Sequence, residues 1–323
     1  MTSTAIYEKL KAFRKSRLYD LISSTQLFAY ESQNSGRVYL SVLGRNIPHI
    51  AVAIYPDEDA LRSFYALFGQ YPNIDDERII YAAMSLIECG FSQKELMPKD
   101  VFREARAYLG RQAALYPGII RHEFMRGERA ADAQEQALAE EALDLVLWIA
   151  GRIQADSSFL NRFQDCDPAE ETGIPVFSPA ADGYSISEMT LPAYTGSPYP
   201  IRPCPTSDMV NELAARKADS RHNLMVSYHI MNQKTDSSVP LRIVCSDLKL
   251  SRPAIAEPDE TAADPFPSLL VSFCRFLLDT GKPKAILTDS FGTASMLDEF
   301  CRKAGIEIRF QELPKFRAKL MSL

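Results

Sequence analysis

The stretch KAILTDSFGTASMLDEFCRKAGIEIRFQEL, residues 284–313, decides how the second half of the chain is read. KAILTD is a strand, TASMLDEFCRKA a helix stopped by Gly305, and IEIRFQEL a second strand, with a last helix after Pro314. Working outward, the helix SLLVSFCRFLLDT is stopped by Gly281. It is preceded by strands NLMVSYHIM and LRIVCSDLKL and a third around Pro253 to Glu257. The order βββ-αβαβ-α follows, and a helix between two strands requires a crossover, so the expected sheet is mixed with a parallel half.

The first half reads differently. Residues 27–56 hold LFAYE, RVYLSVLG after the turn signal QNSG, and HIAVAIYP after RNIP, an antiparallel meander. Asp57 is placed to cap a helix carrying Glu58 and Asp59 in its first turn and Leu61, Phe64, Tyr65 and Phe68 as its apolar stripe. IIYAAMSLIECGF holds a strand, and Pro98 to Leu109 a helix ended by Gly110. A long helix is expected from Asp132 to Ile153, with Trp148 in its buried stripe. At the start, Ile6, Leu10, Phe13, Leu18 and Leu21 share one face of a first helix.

Between the halves lies a change of composition. Residues 154–206 hold eight prolines, and residues 154–223 carry 5 basic against 10 acidic side chains. The expected organisation is therefore an N-terminal α+β domain over 1–153, a proline-rich connecting arm over 154–206 and a C-terminal mixed α/β domain over 207–323, in which Ser207 caps a short helix. YSISEMTLPAY within the arm reads as an edge strand.

Composition limits function. Formal charge is −6 over 323 residues, so no general positive field exists to hold nucleic acid or anionic lipid. No signal peptide and no run of about 20 apolar residues is present, which gives the expectation of a cytoplasmic protein without membrane partners. The six cysteines are 77, 38, 41, 29 and 27 residues apart, unlike the close pairs of a zinc knuckle, and Cys245, Cys274 and Cys301 sit in apolar runs. His49, His122, His222 and His229 form no HExxH or close pair, although distant residues can still converge in a fold. GxSxG, Walker and GxGxxG patterns are absent.

Ligand sites in open α/β sheets favour the carboxyl ends of parallel strands, which singles out LTDSFGTAS. There Ser290, Gly292 and Thr293 lead into a helix N-terminus and form an anion-binding candidate, weighed against simple helix capping by Ser290 or Thr293. Three meander strands followed by αβαβ also resemble the ribonuclease H-like layout. That resemblance implies two carboxylates holding a pair of Mg or Mn ions, with Asp289 in the fourth-strand position and Asp247, on the second strand, as the nearest partner. The first strand, NLMVSYHIM, holds no acid, so the expected likeness is one of topology.

Residues 18–68, with QLFAYES, GRVYLSVLG and HIAVAIYPDEDALRSF, resemble the N-terminal domain of a bacterial family, domain of unknown function 7309. KPKAILTDSFGTASMLDEFCRKAGIEIRFQELP resembles a companion C-terminal domain, number 6930. The resemblance implies two domains in a prokaryotic cytosol and brings no activity, cofactor or site residue. The expectation from sequence is thus a non-enzymatic binding module for a protein or small-molecule partner, with self-association as one form. The alternative is a metal-dependent nuclease or phosphoryl-transfer enzyme centred on Asp247 and Asp289.

Overall fold

The computed structural model describes residues 2–44, 49–69, 77–197 (side chains from 79), 199, 204, 208–231, 241–247, 253–262 and 264–321. The chain is mixed α/β with two sheets in two compact units. One unit comprises 1–69, 84–123 and 128–196, the other 70–83, 124–127 and 197–323.

In the first unit, β1 (Phe28–Ser32), β2 (Gly36–Leu43) and β3 (Ile50–Tyr55) form the expected antiparallel meander. It continues through β4 (Leu86–Ser92), β5 (Tyr116–Glu123) and β6 (Gly127–Ala130). Two later strands, β7 (Thr172–Ala180) and β8 (Gly183–Leu191), complete the order β6-β5-β4-β3-β2-β1-β7-β8. The arm expected over 154–206 is therefore, at Thr172–Leu191, sheet: β7 pairs in parallel with β1, and β8 is the outermost strand. Pro175 is tolerated because parallel pairing spans only Val176 and Phe177, just beyond it.

Period-two alternation gives this sheet two apolar faces. Val38, Leu40 and Val42 face a core shared with α1 (Thr4–Ser16) and α6 (Ala133–Ala155), where Leu10 and Phe13 meet Leu143, Val146 and Ile149. Tyr39, Ala51, Ala53 and Tyr55 face α3 (Glu58–Phe68), whose Leu61, Phe64 and Tyr65 form the expected stripe. Asp57 caps α3, its Oδ1 accepting the Ala60 N–H at 2.7 Å. The single first helix expected from sequence is broken: Arg17 takes a left-handed conformation (φ 54°), a short α2 (Leu18–Leu21) follows, and Leu21 is exposed. α5 (Lys99–Leu109) lays Val101 and Ala105 against Tyr116 and Ile120 of β5.

In the second unit, β9 (Asp219–Ile230), β10 (Leu241–Asp247), β11 (Ala254–Ala256), β12 (Pro283–Thr288) and β13 (Glu307–Phe310) give the order β11-β10-β9-β12-β13. β9, β12 and β13 are mutually parallel, whereas β10 runs against β9 and β11 against β10. The connecting helices α8 (Pro265–Thr280), α9 (Phe291–Ala304) and α10 (Pro314–Leu320) lie where the sequence placed them. α4 (Glu77–Ala82) and α7 (Asp208–Ala215) also belong to this unit, and the proposed Ser207 cap lies outside the described residues. No helix among the described residues is long and apolar enough to cross a membrane.

Candidate functional site

The end of β12 carries the polar groups the sequence singled out, and each already has a structural task. Ser290 is the N-cap of α9, its Oγ accepting the Thr293 N–H at 3.0 Å. Thr293 is fully buried, and its Oγ1 accepts the Tyr228 N–H of β9 at 2.9 Å. Gly292 leaves no room for a side chain, since a Cβ there would lie 2.6 Å from the ring of Tyr199. Asp289 is largely withdrawn from solvent, and its Oδ2 lies 3.2 Å from Nε of Arg317 on α10.

Asp247 is not brought to this place. It pairs with Leu224 of β9, which pairs with Ile286 of β12, so Asp247 is level with Ile286 and two strands away. Three residues along and two strands across put the two Cα atoms about 14 Å apart. β10 runs opposite to β12, so its last residue points away from the carboxyl end of β12. β9 is longer than its sequence signal and begins with an acid, Asp219. That residue pairs with Pro283, at the opposite end of β12 from Asp289 and about 20 Å along it. These carboxylates do not fit a shared pair of ions, which needs ligands within a few ångströms of each other. Among the described residues no group of three His, Cys, Asp or Glu side chains has the geometry to hold a metal.

Two of the four histidines, His49 and His122, do converge, in the first unit. Glu88 of β4 is buried, with Oε2 3.4 Å from Nε2 of His122 on β5 and 3.9 Å from Nε2 of His49 before β3. Ser92 Oγ donates to Glu88 Oε1 at 3.3 Å, and Glu128 Oε1 lies 3.6 Å from Nδ1 of His122. The register explains the meeting. Leu86 pairs with His122, and Ile50 with Phe91, so Glu88, His122 and His49 emerge on the same face of three adjacent strands.

Burial works against ionisation of Glu88, yet the neighbouring His122 and His49 imidazoles and the Ser92 hydroxyl outweigh burial and hold the carboxyl below its usual range. Burial pushes the Glu128 carboxyl the other way. The only sequence sign of this cluster is the acid in LIECGFS, a charged residue inside a strand buried throughout. It is a buried carboxylate with two imidazoles close by, and the Ser41 and Tyr55 hydroxyls lie 3.3 Å apart on the same face.

All six cysteines are buried and unpaired in disulfides. Burial raises the Cys245 thiol to about 12 and the Cys274 thiol to about 11, out of the range of a reactive thiolate.

No curated protein and no solved structure matches the chain. Residues 4–112 match the model of a family described as a domain of unknown function, DUF7309, which agrees with the resemblance carried by residues 18–68.

Proposed function

We propose that this protein is a non-enzymatic interaction module that associates with a second copy of itself through strand pairing along β8. The observation that carries the reading is the edge itself. β8 is nine residues long and outermost in its sheet, with Ser185, Ser187, Glu188 and Thr190 exposed. Proteins that avoid edge pairing place lysines, prolines or bulges on such a strand, and GYSISEMTL holds one charge, Glu188, and neither lysine nor proline. An antiparallel pair of β8 strands about a two-fold axis would extend both sheets with backbone hydrogen bonds alone. The engagement of Ser290, Thr293 and Asp289 in capping, strand support and ion pairing favours a structural over a catalytic role for the β12 end.

The test is light scattering after size exclusion across a concentration series. A dimer that Ser187→Pro or the pair Ser185→Lys and Ser187→Lys converts to monomer is expected. A monomer at every concentration counts against the reading.

A second reading has its own support. The order β11-β10-β9-β12-β13, with the first three strands in chain order antiparallel and the last two parallel to β9, is the arrangement expected of a ribonuclease H-like unit. We take it as a statement about ancestry, because fold alone does not carry activity. Manganese-dependent cleavage of DNA or RNA that Asp289→Asn abolishes would restore the nuclease alternative.

A further inference from the structure

Helix α6 presents Glu141, Asp144 and Trp148 at intervals of three and four residues, on one stripe beside the β1–β2 turn and the β7–β8 hairpin. Glu141 is oriented by three neutral donors. Tyr30 Oη and Ser32 Oγ donate to its Oε2 at 3.1 and 2.8 Å, and Asn34 Nδ2 donates to its Oε1 at 3.0 Å. The neighbouring cation, Lys9, is committed to Glu140 at 2.9 Å and Asp144 at 2.8 Å. Lys9 thus serves Glu140 and Asp144, and among the described residues no cation is paired with Glu141.

That carboxylate borders a cavity of about 290 Å³ lined by Tyr30, Gln33, Glu141, Asp144, Pro179, Gly183 and Tyr184. The rings of Tyr30 and Tyr184 meet edge to face, 6.1 Å between centroids at 70°, and Trp148 backs Tyr184 at 5.3 Å. Gly183 (φ +116°) holds the hairpin against the indole so closely that a Cβ would fall 2.6 Å from Trp148 Nε1. Burial, with the nearby carboxylates, raises both phenol groups above their ordinary value, so Tyr30 and Tyr184 remain neutral and line the cavity with aromatic rings rather than charge.

A fixed carboxylate beside electron-rich rings attracts a cation by charge and through the ring quadrupole, with Asp144 at the rim already paired with Lys9. Pinning the Ser32–Gly36 turn does not require the charge, since the single oxygen of a glutamine at 141 could accept from Tyr30 and Ser32 while a turned Asn34 amide accepts from its NH2. We propose that this cavity binds an organic ammonium or guanidinium group, the head of a small amine ligand. Its volume, near the lower end for small-molecule pockets of about 300 Å³ and above, suits a head group rather than a large ligand.

The test is calorimetric titration of the full chain with putrescine and with methylguanidinium, with acetate as the anionic control. The single tryptophan, Trp148, serves as a fluorescence reporter. Saturable binding of either cation, absent for acetate and weakened at least about tenfold by Glu141→Gln, is expected. Gln33→Lys, a substitution at an exposed rim position that tethers an ammonium in the opening, is expected to block binding even should Glu141→Gln misfold. Failure of both cations to saturate overturns the proposal, as does unchanged affinity in a folded Glu141→Gln or Gln33→Lys variant.

Discussion

Thr293 and Tyr228 are joined by a buried hydrogen bond in which the threonine Oγ1 accepts the tyrosine N–H at 2.9 Å. β9 runs on past the last residue it pairs with on β12, Leu287 opposite Met225, and Thr293 from the first turn of α9 supplies the acceptor its backbone then lacks. Thr293→Val keeps the shape and removes the acceptor, stranding a buried N–H. The expected loss is about 1–3 kcal/mol, read as a lower urea midpoint, with Thr293→Ser recovering most of it.

At the start of α6, Asp132 and Glu135 form a reciprocal capping box. Asp132→Ala leaves two amides without their acceptor, and a loss of about 0.5–2 kcal/mol is expected in the same denaturation assay.

Acid stability should report on Glu88. Its carboxyl is held below the usual range in the fold, so its contribution is complete above the unfolded value of about 4.3 and disappears as pH falls through the lower folded value. Glu128, raised by burial, acts in the opposite sense. It favours the folded state when protonated and loses that advantage as pH rises from about 4.3 through its raised value. Wild type is therefore expected to lose stability more steeply below about pH 4.3 than Glu88→Gln, whereas Glu128→Gln should flatten the slope just above it, in pH-dependent thermal melts.

The Asp289–Arg317 pair joins a largely buried carboxylate to a guanidinium that is 60% exposed, so solvent screens it. Arg317→Ala is expected to cost no more than about 1 kcal/mol. A much larger loss would mean that Asp289 depends on this partner for more than a surface ion pair does.

Thiol chemistry gives a further check. Each cysteine is buried, so a thiol reagent such as Ellman's should label the native protein slowly and all six positions promptly in denaturant. Fast labelling of one site would show that its surroundings open locally.

The strands and helices most legible in the sequence are those whose signals are local. GRVYLSVLG alternates, Asp57 and Ser290 cap, and Gly110, Gly281 and Gly305 stop helices, each within one turn of the chain. β5 and β6 gave no such signal, because YPGIIRHE and GERA mix a proline, glycines and charges with two isoleucines, and only their neighbours make them strands. β7 was hidden by Pro175 and Pro179, which read as linker until the brevity of its pairing with β1 is known. The sites divide in the same way. Asp289 could be placed at a strand end from its own surroundings, while the meeting of His49, Glu88 and His122 depends on the register of three strands.

The pairing of Ala29 with Val176 also bears on how the protein is made. During synthesis β1 waits for a neighbour almost 150 residues downstream, so one side of the nascent sheet stays open until β7 has left the ribosome. Truncations ending before β7 would leave that side permanently uncovered, and a fragment cut at residue 153 is an aggregation hazard rather than a minimal folding unit.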